Sequence, residues 1–578
     1  MNSLRLALLA AFSAAALSGQ TDWPAYGNDP GGTKYSPLNQ INTRNAGKLT
    51  RVWTYRGDKG GTFEVTPVVA GGVMYLSTST QRVVALNPET GTEIWVFDPK
   101  VPRAREHRGV SYWPGDARTP PRVILATSDG RLFALDARTG KPAAEFGDNG
   151  VVNLRTGVAD KFPMAGYSVT SPPAIFKNLA ILGPELAENG RYGPSGDPRA
   201  FDLRTGKMVW RFHTVPQPGE PGHDTWGPEG WQDRAGPSLW AGITVDVQRG
   251  LVFCPVGNPT DQAYGGGRPG TNLYSSSLIV LDAESGKLKW YFQTTHHDIL
   301  DLDVNSPPTL IDVTQGGKKI PAVAQMTKQG LLFILDRTTG KAIFGVEERP
   351  VPVSDVPGDT SSPTQPFPIK PPPLARMSMT RDEVNKTTPE SAKTCTEQFD
   401  RLVHKGAYAL YGIHPSLVFP SSEGGGGWGG SAFDPTLGYI FVNTRSLGTA
   451  AHLVPRDSGG QPSYNKVKEP FEDQSGYPCN APPWGELAAV NANTGDIVWR
   501  IPLGEYPELA AKGIKNTGTP NAGAPIVTAG GVLFIGATTD FHFRAFEAKT
   551  GKLLWSTELE NSAISTPITI KAATASNT

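Results

Sequence analysis

Short apolar runs alternate with polar turns along this chain, and one such unit recurs seven times. Each copy is an apolar run, an Asp or other polar residue, a Thr-Gly or Ser-Gly pair, then an aromatic. It reads ALNPETGTEIW at residues 85–95, ALDARTGKPAAEF at 134–146 and AFDLRTGKMVW at 200–210. It returns as VLDAESGKLKW at 280–290, ILDRTTGKAIF at 334–344, AVNANTGDIVW at 489–499 and AFEAKTGKLLW at 545–555. The pattern predicts a hairpin with φ > 0 at the Gly. A hairpin cannot bury both faces alone. Each aromatic is therefore expected to pack against the next unit, in a radial or stacked all-β array.

The spacing between repeat glycines is much longer from Gly340 to Gly495 than elsewhere. Inside that gap, GGWGGSAFDPTLGYIFVNT at 426–444 predicts two strands about a turn at Pro435–Gly438. Counted as a unit that has lost its phrase, it raises the expectation to an eight-bladed β-propeller with tryptophan docking between blades. LTRVWTY at 49–55 is expected to supply an outer strand that helps close the ring. Only TPITIKAATASNT follows the seventh copy, so the last blade is expected to lack a strand or to borrow one from the N-terminal segment. The Pro-rich stretch 351–405 reads as a surface loop that roofs one end of the ring.

Composition agrees with many short strands: 66 Gly, 52 Pro and 13 Trp in 578 residues, 38% of them hydrophobic. A formal net charge of zero argues against a nucleic-acid partner. Arg5 followed by the apolar run 6–17 reads as an export signal over residues 1–20, which implies a periplasmic protein with no transmembrane segment in the mature chain. Cys254, in LVFCPVG, reads as a buried thiol, whereas Cys395 and Cys479 could pair. No CxxCH is present, so the chain attaches no c-type haem.

Chemistry concentrates in QTTHHDILDLDV at 293–304, directly after a repeat, with two His and three Asp. Carboxylates in such a cluster can bind a hard cation or act as a base, and Asp301 and Asp303 share a side if extended. Lys328 stands in VAQMTKQGLLFILD, before a strand.

With WPAYGND, RGVSYWPGD at 108–116, APPWGEL at 481–487 and APIVTAGGVLFIGATTDFHFRAF at 524–546, these motifs resemble the pyrroloquinoline-quinone (PQQ) dehydrogenases. The resemblance covers nearly all of the chain after the export signal. It is closest to the propeller of the membrane-bound quinoprotein glucose dehydrogenases. It implies an eight-bladed quinoprotein that oxidises a sugar or alcohol hydroxyl. Electrons would pass to an external acceptor, ubiquinone or cytochrome c.

The resemblance also assigns roles. Asp301 aligns with the base and Lys328 with the cation that polarises the quinone carbonyl. Glu64 and Arg108 align with groups holding the PQQ ring and carboxylates, and Trp240 with the indole beneath it. Thr170, Trp428 and Asp540 are placed near cofactor or substrate. Glu185, Asn258 and Asp301 align with ligands of a Ca²⁺ ion, and Asp303 opens the option of a lanthanide. Lys328→Ala is expected to cost turnover far more than stability, as for an exposed-strand Lys. Two departures stand out. RAREHRGV places His107 where the alcohol branch has adjacent cysteines, and Gly427 precedes Trp428. The GPEL and GNP motifs resemble the alcohol branch, whereas HHDILDLDV with Lys328 resembles the glucose branch. The alternative is a non-catalytic propeller scaffold of outer-membrane assembly, which would have no reason to keep this constellation.

Overall fold

The structure is a computed structural model that describes residues 22–58, 60–188, 190–456 and 462–572. The expected export signal lies outside these residues. Among the described residues the regular structure is almost entirely β-strand, with two α-helices, Pro389–Arg401 and Pro507–Ala511.

Seven antiparallel sheets carry the seven phrases, and the phrase occupies the same place in each. In the first sheet the strands Val68–Ala70, Val73–Ser77, Val83–Leu86 and Glu93–Phe97 follow one another by hairpins. The apolar run of the phrase is the third strand, and Trp95 lies on the fourth. All seven phrase glycines have φ between +69° and +74°, the left-handed region that a residue with a Cβ enters only at a cost. Asp136 shows why the preceding position is polar: its Oδ1 accepts the backbone N–H of Arg138 and Thr139, both at 3.0 Å. Such Asx turns preorganise the hairpin. Five of the sheets have a register shift just ahead of this turn, as between Ala85 and Leu86.

The aromatic joins each sheet to its neighbour. Trp95 donates from Nε1 to Ala137 O at 3.0 Å, the residue after the Asp of the next phrase. Trp210 to Ala283, Trp290 to Arg337 and Trp499 to Ala548 repeat that bond at 3.0–3.1 Å. The indole lies flat on the next glycine: a Cβ at Gly140 would stand 2.4 Å from the Trp95 ring.

The first strands of successive sheets are neighbours, from Val68–Ala70 round to Ile526–Thr528, so the sheets stand radially. The unit 426–444 does not form a further sheet. Its strands Ala432–Asp434 and Tyr439–Arg445 are the first half of the sixth sheet, and the phrase at 489–499 is the second half. Between the seventh sheet and the first lies a wedge without sheet structure. Leu49, Trp53, Ile568 and Ile570 pack there against the cores of both. Residues 49–55 form no strand, yet Trp53 does the docking expected of a blade, lying against Gly91. The seventh sheet is complete and gains Tyr35–Ser36 as a parallel fifth strand.

The stretch 351–405 is not a bare loop. Strands Val346–Pro350 and Thr364–Pro368 pair, and the helix Pro389–Arg401 follows, capped by Thr388 and started by Pro389. Its buried Cys395 forms a disulfide with Cys479 across 84 residues. An outer sheet of Ser416–Val418, Thr449–Pro455 and Tyr464–Pro470 shares no ladder with the ring and packs against it through Val418, Ala451 and Leu453. Cys254 is a buried free thiol, as read from sequence.

Candidate active site

Eight of the eleven predicted residues sit at two recurring positions of the fold. Glu64, Thr170, Trp240 and Trp428 each lie four residues before the first strand of their sheets, and Arg108 lies three before. Glu185, Asn258 and Lys328 follow the second strands of the third, fourth and fifth sheets by two or three residues. Both positions fall at the same end of the ring, so one cavity of about 360 Å³ collects residues from several sheets, a size suited to a small molecule.

Arg108, Glu185, Trp240, Asn258, Asp301, Asp303, Lys328 and Trp428 all line this cavity. The Arg108 guanidinium lies between two indoles, 5.0 Å from the Trp240 ring and 4.9 Å from the Trp428 ring. Glu64 and Thr170 stand behind it. Arg108 pairs with Glu64 at 3.1 Å and donates to Thr170 Oγ1 at 3.0 Å. Thr170 in turn donates to Glu185 Oε2 at 2.9 Å, and Arg105 pairs with the other oxygen of Glu185 at 2.5 Å. Burial raises the Glu64 carboxyl above its ordinary value, against the pull of Arg108.

Opposite them is the Asp cluster, where each carboxylate has a separate task. Asp298 accepts the N–H groups of Leu300 and Leu302 at 2.9 Å and the Ser276 hydroxyl at 2.8 Å. That fixes the loop so that Asp301 and Asp303 face the cavity. Asp301 is held at φ +63°, a conformation whose strain the surrounding contacts must offset. Lys328 Nζ binds Asp301 Oδ1 at 2.8 Å and Asp303 Oδ2 at 3.3 Å. Asp303 Oδ1 also accepts the Asn258 N–H at 2.7 Å. Burial alone would lower the Lys328 ammonium; Asp301 and Asp303 reverse this and hold it above its usual range. Burial, reinforced by Asp301 and opposed by Lys328, pushes Asp303 up to about 6.

Asp540 does not join them. Arg544, Thr538 Oγ1 and the Glu505 N–H occupy its carboxylate. Asp540 falls five residues past the strand Val532–Ile535, whereas Glu185, Asn258 and Lys328 fall two or three past theirs. Its work is to brace that turn.

Two residues escaped the sequence reading. Asn305 lines the cavity, its Oδ1 buried and without a partner. The signal was available: Asn305-Ser-Pro-Pro precedes the strand at Thr309 as Thr170-Ser-Pro-Pro precedes that at Ala174. Lys466 reaches in from the outer strand Tyr464–Pro470, its Nζ 3.5 Å from Asp301 Oδ2.

Residues 23–575 match the family described as PQQ: glucose/ethanol/alcohol dehydrogenase, beta-propeller domain. The chain belongs to this family. It is 34% identical to the quinoprotein glucose dehydrogenase of Escherichia coli, over 95% of this chain and 74% of the relative. Identity is 33% to the quinate/shikimate dehydrogenase (quinone) of Acinetobacter baylyi, over 95% and 75% of the two chains. It is also 33% to the glycerol dehydrogenase large subunit of Gluconobacter oxydans, over 97% and 82%. Among solved structures, the quinohemoprotein alcohol dehydrogenase of Comamonas testosteroni superposes with a TM-score of 0.72 at 26% identity, covering 97% of this chain and 76% of that one. The protein is thus a PQQ-dependent quinoprotein dehydrogenase acting on CH–OH groups.

The cavity fits such a cofactor. Two indole faces suit a planar ring, and a guanidinium suits its carboxylates. The buried Arg108 Nε and Asn305 Oδ1 lack partners, as expected of groups that a ligand completes. The fit to a metal is looser. Glu185, Asn258, Asp301 and Asp303 offer only oxygen donors, the preference of a hard cation. Among the described residues, however, no three His, Cys, Asp or Glu side chains group closely enough to hold an ion.

Proposed function

We propose that this protein is a periplasmic PQQ-dependent dehydrogenase of a sugar-like or alcohol hydroxyl, with Ca²⁺ beside the cofactor and ubiquinone or a cytochrome c as external acceptor. The observation that carries the reading is the buried Lys328–Asp301 pair facing two indoles across one cavity. Bound PQQ supplies the two-electron acceptor. The chain does the rest. Trp240, Trp428 and Arg108 orient the cofactor, and Glu64 and Thr170 orient Arg108. Lys328 occupies Asp301 Oδ1 and leaves Oδ2 to take the proton of the substrate hydroxyl.

Glu185, Asn258 and Asp301 are the proposed calcium ligands. Asp303 is engaged by Lys328 and the Asn258 N–H, so a lanthanide would have to displace those contacts. The ring reads as eight positions, seven filled by sheets and the eighth by the wedge. A buried disulfide is typical of an oxidising compartment and supports export. Among the described residues no helix is long and apolar enough to cross a membrane.

The test is dye-linked oxidation of sugars and alcohols by protein reconstituted with PQQ and Ca²⁺. Asp301→Asn should keep the fold and lose turnover by about 10²-fold or more. Full activity in that variant would remove the base. Activity that survives chelation would remove the metal.

A further inference from the structure

Beside the cofactor cavity lies a second one of about 950 Å³; Glu188 and Lys468 border both. Six Lys and Arg side chains line the second cavity against two carboxylates. Two of the six are committed to the fold. Arg234 donates to Gly230 O and pairs with Asp261, and Arg268 donates to Asn272 and Asp298 O. Lys466 is different. Its side chain is 10% exposed, its Nζ makes no hydrogen bond among the described residues, and its ion pair with Asp301 Oδ2 is long at 3.5 Å. The Tyr411 ring lies 5.2 Å below the ammonium. Lys468 is two residues along the same strand, hence on the same face. It donates to the Ser422 hydroxyl at 2.9 Å.

Asp301 therefore stands between two cations. Lys328 holds Oδ1 from the cofactor side, and Lys466 faces Oδ2, the oxygen assigned to the substrate proton. A buried ammonium without a hydrogen-bond acceptor is costly. An anionic group of the substrate would satisfy it and bring a neighbouring hydroxyl to Oδ2. We propose that Lys466, assisted by Lys468, binds a substrate carboxylate, so that the preferred substrates are hydroxy carboxylates rather than neutral sugars or alcohols. This rests on the dehydrogenase reading above and names the substrate class of the same site.

The experiment pairs acids with neutral counterparts that keep the same hydroxyls: gluconate with gluconamide, and malate and lactate with their methyl esters. The PQQ- and Ca²⁺-loaded protein should favour the acids in kcat/KM by about tenfold or more. Lys466→Gln should collapse that ratio, and Lys466→Arg should keep it. Titration calorimetry with gluconate, which needs no turnover, should show binding to the wild type and about tenfold weaker binding to Lys466→Gln. Equal use of acid and neutral partner by the wild type would overturn the proposal. So would gluconate affinity that Lys466→Gln leaves intact. Equal loss on both substrates in Lys466→Gln would also overturn it, making Lys466 a positioning residue for Asp301. Oxidation of neutral alcohols without preference for acids would sink this inference alone. Gluconate binding through Lys466 with no oxidation of any alcohol would sink the dehydrogenase reading alone.

Discussion

At the scale of single residues, burial decides what each charge does. Lys328 was expected to behave as an exposed-strand lysine, and it is instead buried between two carboxylates. Lys328→Ala leaves Asp303 without its cation and Asp301 with only the more distant Lys466, so it should cost about 3–5 kcal/mol of stability as well as turnover. Urea unfolding of the cofactor-free protein measures the first part, and an unchanged midpoint would contradict the burial argument. His107 offers a second case. Its Nε2 meets Ala126 O at 2.8 Å and its Nδ1 meets the Ser77 hydroxyl at 2.7 Å, an arrangement that suits the neutral ring. Burial, aided by the neighbouring Arg108, pushes its pKa from 6.5 down to about 4. The folded state thus resists a proton that the unfolded chain accepts. This contribution is fully present above pH 6.5 and is lost as pH falls toward 4, by about 3 kcal/mol at 1.36 per unit. Tm measured from pH 7 to pH 4 should fall less steeply in His107→Gln than in the wild type.

At the scale of elements, most of the site was legible because the repeat carries it. Equivalent places in successive sheets aim at one point, and Thr170, Trp240 and Trp428 occupy one of them in different sheets. Motif matching found these three without using that rule. The rule itself recovers Asn305 and excludes Asp540, whose turn is out of phase. What stayed hidden came from outside the repeat. Lys466 lies on an outer strand whose closeness to Asp301 is a matter of tertiary packing, and no spacing in sequence encodes it. The helix Pro389–Arg401 was missed for a related reason: it buries only Ser391, Cys395 and Phe399 and shows little apolar pattern. The unit at 426–444 reads in sequence as a blade of its own because its two strands are adjacent there, whereas in space they are half of the sixth sheet. Docking between sheets gives its own prediction. Trp290 bonds Arg337 O and covers Gly340, so Trp290→Ala should cost about 3–5 kcal/mol and loosen the fifth sheet, which carries Lys328. Hydrogen exchange should rise across Leu332–Asp336 before the rest of the ring.

At the scale of the whole molecule, the disulfide and the wedge do complementary work. Cys395–Cys479 ties the helix to the excursion that returns to the sixth sheet. Its reduction, or Cys395→Ser with Cys479→Ser, should lower stability by about 2–5 kcal/mol, read as a Tm drop in reductant. The wedge closes the ring without a shared sheet. The two ends of the described chain meet there, with Trp23 and Ile570 in one apolar cluster and Arg56 paired to Glu560 on the surface. A polypeptide whose two ends are neighbours can be joined there and reopened at an exposed turn at little cost. A circular permutant that links residue 22 to residue 572 and opens at the exposed Gly316–Gly317 turn should reach the same ring and load the same cofactor. The seam would then be a place where a second domain could be spliced in without disturbing the chemistry at the axis.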